Sequence, residues 1–220
     1  LAEEQGLPNG KRYSVSHAWG VDHDVNAIAT YNANEMGEGI HCDAMAFVNG
    51  NKVARHKTIL DFSRITALAF GFPCNDFSVV GKRKGTDGSY GKLYKAGIAA
   101  INHANPVWFI AENVSGIHSA NAGVAFKQIR EEMEGAGDHG YNLTVHLYKF
   151  EDYGVPQYRH RYIIVGVRKD QKVTFRVPMP THKQRHVSAS EALSAPYEDG
   201  VGDREKTRQH ARIVERLRFT

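Results

Sequence analysis

Cysteine is scarce in this 220-residue chain: Cys42 and Cys74 stand alone and form no C-x-x-C pair. That argues against a disulfide framework or a zinc ribbon and fits a reducing compartment. Long apolar runs are missing too. None approaches the ~20 residues of a membrane span, and the first residues carry no signal-peptide pattern, so no membrane partner is expected. Charge is not extreme; a formal net charge of +4 and a pI near 9.0 suit a polyanionic partner without selecting one. Internal repeats and low-complexity tracts are absent. The glycine-rich basic stretch at 81–92 lacks the G-x-x-x-x-G-K-[ST] order of a phosphate loop, with Thr86 at the first glycine and Leu93 at the hydroxyl. Ten of the twelve histidines are scattered without ligand spacing, and only His182 and His186 stand at the helical spacing of metal ligands. His182 and His186, with no acidic or thiol companion beside them in sequence, read as basic surface, and no metal is expected.

What is present is alternation of short apolar runs with amphipathic helical patterns, in a chain long enough for one good core. The organising stretch is 65–78, ITALAFGFPCNDFS. Its apolar run reads as a strand covered on both faces. Gly71 and Pro73 end the run, and Cys74 stands where the chain leaves the strand's carboxyl end, the usual place for chemistry in an open α/β sheet. Leu93, Gly97, Ala100, Ile101 and Ala104 then recur at helical spacing.

Other strand ends carry polar groups. Residues 13–21 read as a strand leading to Asp22-His23-Asp24, with Asp24 capping a helix from Val25 to about Asn34. A carboxylate at such a tip suits the two hydroxyls of a ribose. Cys42-Asp43-Ala44 is a second acidic tip. Residues 106–111, PVWFIA, form a strand ending at Glu112-Asn113, an acid that is costly to bury without a partner. The following helix packs Phe126, Ile129 and Met133, leaving Lys127, Arg130, Glu131 and Glu132 solvated. Strands over 141–150 and 162–167 flank DYGVPQYRHR, where Gln157, Arg159 and Arg161 alternate and, if extended, share one face. Short helices are expected after Ser188 and over 212–217. Residues 1–6 read as the last turn of a helix closing on Gly6, and with residue 220 following a helical pattern without a cap, the chain is expected to be an internal fragment.

The series GFPCNDFS, AENVSGI, DYGVPQYRHRYIIVG, in that order, resembles the motif series of DNA cytosine carbon-5 methyltransferases. The resemblance implies an α/β, Rossmann-like S-adenosylmethionine-dependent methyltransferase, a three-layer α/β/α sandwich incomplete at both ends. Residues 1–180 would be its catalytic domain and 181–220 a connection toward a target-recognition domain. It implies Cys74 as the nucleophile, Glu112 as the acid on ring nitrogen 3, and Arg159 and Arg161 as the arginines that steady base and loop. Cofactor contacts fall on Asp22, His23, Asp43, Ala44 and Leu93, with Ser78, Asn113 and Gln157 in support. Implied partners are S-adenosyl-L-methionine, double-stranded DNA with the target cytosine flipped out, and a cognate restriction endonuclease system. The expected protein is a monomer in a bacterial or phage-like cytoplasm, associated with the nucleoid.

The family's glycine-rich cofactor motif is missing ahead of residue 1, Asn75 replaces its usual glutamine, and Tyr90 stands where arginine is common. Two other enzyme readings are weaker. Transfer-RNA methyltransferases usually have threonine at the position of Ser78, and a cysteine hydrolase needs a histidine base that nothing local supplies. A catalytically silent DNA-binding or regulatory homologue would lack Cys74 or Glu112, and both are present.

Overall fold

Parallel strands need a crossover, and the chain supplies one twice. The computed structural model describes residues 5–6, 12–34, 37–50, 62–72, 94–118 and 123–194; Cys74, Ser78, Leu93, the 81–92 stretch and the 212–217 helix lie outside them. The first crossover is β3 (Trp19–Asp22), α1 (Val25–Ala33), β4 (Glu38–His41), with β3 and β4 parallel and Asp22 opposite His41. The strand is shorter than the 13–21 expected, because the chain meets its parallel partner β4 only from Trp19 onward. Asp24 caps α1 by accepting from the N–H groups of Asn26 (2.7 Å) and Ala27 (3.3 Å). These bonds, that to Asn26 foremost, hold its carboxyl below the usual aspartate range. A short helix, α2 (Ala44–Val48), follows β4 under an Asp43 cap.

The second crossover is β5 (Ala67–Gly71) to β6 (Trp108–Val114), also parallel, with α3 (Tyr94–Ala104) between them in sequence. After α4 (Val124–Glu134), β7 (Tyr141–Lys149) and β8 (His160–Arg168) pair antiparallel, and β8 returns antiparallel beside β6. The sheet order is therefore β5-β6-β8-β7. Among the described residues β3–β4 forms a separate ladder, yet Trp19, Phe47 and Phe62 pack ring to ring, and one core runs from Ile40 to Phe109, Ile129 and Met133. Tertiary fit sets the spacing within it. A Cβ added to Gly97 of α3 would fall within the Phe70 ring of β5, so only glycine lets this helix lie so close to the strand.

Two expectations are corrected. Gln5–Gly6 (β1) is not a helix end but pairs antiparallel with Arg12–Tyr13 (β2), its backbone bonding across to a second strand rather than along its own chain. Glu132 is not on a solvated face. It accepts from Lys95 Nζ (2.5 Å), Tyr94 Oη (3.0 Å) and Gln128 Nε2 (3.1 Å), tying α4 to the first turn of α3. Burial alone would raise its carboxyl, but the bonds from Lys95, Gln128 and Tyr94 outweigh that and leave it below its ordinary value. Because the folded form is the better acid, its contribution is complete above the ordinary glutamate value of 4.5 and fades as pH falls through the lowered one. Glu132→Ala is expected to cost about 2 kcal/mol in urea unfolding at pH 7, the scale of hydrogen bonds to a charged group. The gap to the parent should shrink at acid pH.

The chain divides into two compact units, Leu1–Lys149 with Arg159–Met179, and Phe150–Tyr158 with Pro180–Thr220. All the strands among the described residues belong to the first. In the second, a 3-10 turn over Phe150–Tyr153 is tied to residues 182–186: Asp152 O accepts from His182 N (2.8 Å), and Asp152 Oδ1 lies 2.9 Å from His186 Nε2. His186 thus has an acidic companion that its sequence neighbourhood does not reveal, but among the described residues no group of three donors could hold a metal. The helix expected after Ser188 is α5 (Ala189–Ser194), with Ser188 Oγ accepting from Glu191 N at 3.0 Å.

Candidate active site and family

Strand direction gathers the candidate residues of the first unit. β5 and β6 run parallel, so their carboxyl ends share one sheet edge, and antiparallel β8 begins at that same edge. Gly71 pairs with Glu112, and Val114 with Arg161. The Glu112 carboxylate lies over Gly71, where an added Cβ would sit 3.6 Å from Oε2. Arg161 Nε donates to Glu112 Oε1 at 2.8 Å, the two side chains being 22% and 39% exposed. An arginine in this position fixes the carboxylate's orientation, and Nε engages one of its two oxygens. Cys74 follows Gly71 by three residues but lies outside the described ones.

Glu112 is therefore not an isolated acid at a strand tip. The strand continues to Val114 because β8 offers partners as far as Arg161, and Glu112 sits inside the ladder with a cation beside it. Asn113, next along, is 3% exposed. Its Nδ2 donates to the Phe72 carbonyl at 3.1 Å and its Oδ1 accepts from Val114 N at 2.8 Å. The strand that bears the acid thus also pins the last described residue before Pro73-Cys74.

The QxRxR triplet does not form one extended face. Arg161 lies in β8, and Arg159 precedes the strand and is exposed. Gln157 sits in a bend, its N–H donating to Val155 O at 2.8 Å, and belongs to the second unit. The bend interrupts the alternation that an extended segment would have kept.

Asp22 and His23 stand at the carboxyl end of β3, and Asp43 and Ala44 just beyond that of β4. Cys42 N donates to Asp22 O at 3.0 Å, holding the two tips side by side. Asp22 Oδ1 accepts from Asp24 N (2.8 Å) and lies 3.3 Å from His23 Nδ1, with the Asp22 side chain 46% exposed. A carboxylate has about four acceptor positions, so capacity remains for a pair of hydroxyls. Asp43 Oδ1 is committed to capping α2 through Ala46 N at 2.8 Å. The acceptor positions left on Asp22 suit the two hydroxyls of a ribose. Sequence reasoning missed His41, whose Nε2 reaches the His23 carbonyl at 2.9 Å and fixes that backbone. Its register opposite Asp22 is the signal, and it is hidden because EGIH is too short and too polar to read as a strand.

The profile of the family described as C-5 cytosine-specific DNA methylase matches residues 4–218. The chain is 46% identical over 211 residues to the Type II methyltransferase M.BbvI of Brevibacillus brevis, covering 94% of this chain and 55% of that protein. It is 41% identical over 131 residues to the Type II methyltransferase M.NgoFVII of Neisseria gonorrhoeae, covering 56% of this chain and 34% of that one. A solved E. coli prophage protein described as a DNA modification methyltransferase superposes with a TM-score of 0.60 at 23% identity, over 84% of this chain and 49% of that one. That likeness is one of fold, and it makes the architecture α/β and Rossmann-like. The chain spans about half the length of the curated relative M.BbvI, and less of M.NgoFVII. It belongs to the C-5 cytosine-specific DNA methylase family.

Proposed function

We propose that the protein containing this chain transfers a methyl group from S-adenosyl-L-methionine to carbon 5 of cytosine in double-stranded DNA. The observation that carries this reading is the Glu112–Arg161 pair, 2.8 Å apart at the sheet edge from which Gly71 leads to Cys74. Carbon 5 of cytosine is too electron-poor to take a methyl group unaided. Cys74 adds as thiolate to carbon 6, forming a carbon–sulfur bond, while Glu112 shares a proton with ring nitrogen 3. The displaced electron pair makes carbon 5 enamine-like and nucleophilic. The cofactor, when bound, would supply the methyl group from a sulfonium sulfur that keeps the bonding pair and leaves as a neutral thioether while carbon 5 takes the methyl. Loss of the carbon-5 proton then expels the Cys74 thiolate and restores the ring.

The remaining residues have supporting roles. Arg161 keeps Glu112 aimed at the base, Arg159 beside it meets the base or its backbone, and Asn113 holds the approach to the nucleophile. Asp22 takes the cofactor's ribose hydroxyls, with His23, Asp43, Ala44 and Leu93 around the adenine. Ser78 and Gln157 support the flipped nucleotide. Residues 1–180 form the catalytic part and 181–220 lead toward target recognition.

The protein acts as a monomer at the bacterial nucleoid, and the Type II designation of the relatives supports a cognate restriction endonuclease beside it. No helix among the described residues is long and apolar enough to cross a membrane. The test is incubation of the full-length protein with radiolabelled cofactor and duplex DNA. Label should appear as 5-methylcytosine, and DNA carrying 5-fluorocytosine, whose carbon-5 fluorine cannot leave as the proton does, should remain covalently attached. Label on no base, or on another atom, overturns the proposal.

A further inference from the structure

Tyr158 presents a large ring that is 82% exposed. It is nevertheless braced. The His186 ring meets it edge to face, with centroids 6.1 Å apart and planes at 87°. His186 is held in turn by Asp152 Oδ1 at 2.9 Å, and the Asp152 carbonyl accepts from His182 N at 2.8 Å. The brace therefore ties the 3-10 turn in the first segment of the second unit to residues 182–186 in its other segment. Cations populate the same strap. Lys183 is exposed, and Arg185, with 83% of its side chain exposed, pairs with Glu191 at 2.9 Å. An aromatic face held still beside cations suits a partner that offers flat rings and negative charge, and the lost side-chain entropy of the tyrosine is already met by the brace.

We propose that Tyr158 is a nucleic-acid contact: its exposed face stacks on a base or deoxyribose of the DNA, with Lys183 and Arg185 facing phosphate. The inference rests on the methyltransferase reading for the identity of the partner, but it assigns a residue that takes no part in the chemistry. The contact uses the ring face, so the hydroxyl is dispensable and ring size is not.

The experiment compares full-length parent protein with Tyr158→Ala, Tyr158→Phe and Tyr158→Trp. The readouts are the KM for duplex DNA, kcat, DNA affinity by fluorescence anisotropy, and cofactor affinity by calorimetry. Tyr158→Ala should raise the DNA KM and Kd roughly 5- to 150-fold, the range for losing one base–aromatic stack, with kcat and cofactor affinity unchanged. Tyr158→Phe and Tyr158→Trp should stay within about threefold of the parent. Asp152→Asn, which weakens the brace without touching the ring, should give a smaller rise of the same DNA-selective kind. Unchanged DNA affinity in Tyr158→Ala, or a parallel loss of cofactor affinity that marks general disruption, overturns the inference. If the parent binds DNA through Tyr158 but transfers no methyl group, the functional reading fails while the contact stands. If the parent binds no DNA, both fail.

Discussion

Replacing Cys74 by serine is expected to lower methyl transfer at least about 10⁴-fold, a loss typical of removing the nucleophile from a covalent mechanism. The reason lies in acidity and softness. A free thiol with a pKa of ~8.5 is a few per cent thiolate at neutrality, and a cation or local dipoles nearby enlarge that fraction. A serine hydroxyl stays protonated, and no histidine base stands close in sequence to activate it. Initial rates with labelled cofactor check the loss. Denaturing gels check the mechanism, because the covalent complex with 5-fluorocytosine DNA should disappear while DNA and cofactor affinities persist. Transfer within tenfold of the parent, or a surviving covalent band, would remove Cys74 from the mechanism.

Glu112→Gln should lower kcat about 10²- to 10⁴-fold, the range for losing a positioned proton donor or acceptor. Glutamine keeps the shape, but it cannot move a proton to nitrogen 3, and it leaves the half-buried Arg161 without its carboxylate at 2.8 Å. Arg161→Ala removes the same geometry from the other side. Groups that act as a unit lose activity together, so the double variant should be little worse than Glu112→Gln alone. Steady-state rates of the two single variants and the double variant close the cycle. If the logarithmic losses simply add, Arg161 does not work through Glu112. Circular dichroism and cofactor calorimetry should show all three variants folded.

The sequence carried the order of elements well where period and capping agree. Phe126, Ile129 and Met133 recur at helical spacing and are buried in α4, and Asp24 both reads as a cap and is one. Gly71 and Glu112 could be placed at strand ends, but their side-by-side register could not, because parallel pairing is fixed by contacts distant in sequence. For the same reason Glu132 was misread. Lys127, Arg130 and Glu131 around it are charged and exposed, and its partners Tyr94 and Lys95 lie almost forty residues away. His41 escaped because a four-residue strand with polar ends leaves no periodic trace. The Gln157 bend escaped because alternation of residue types says nothing of backbone direction until a ladder partner enforces it. Cys74 itself was identified by resemblance to the family's motif rather than by local chemistry, since one cysteine after a proline is common in packed turns.

The close approach of Phe70 and Gly97 has a consequence for how this sequence can drift. An added methyl at residue 97 would occupy the space of the Phe70 ring, so substitutions there are blocked while the ring remains. A smaller side chain at residue 70 would open room for alanine at residue 97, though alone it leaves a void under β5. Neither change is neutral by itself, and the two together restore contact. Across homologous chains the pair should therefore covary, large with glycine or small with alanine, and the order in which the changes arise should decide which lineages survive them.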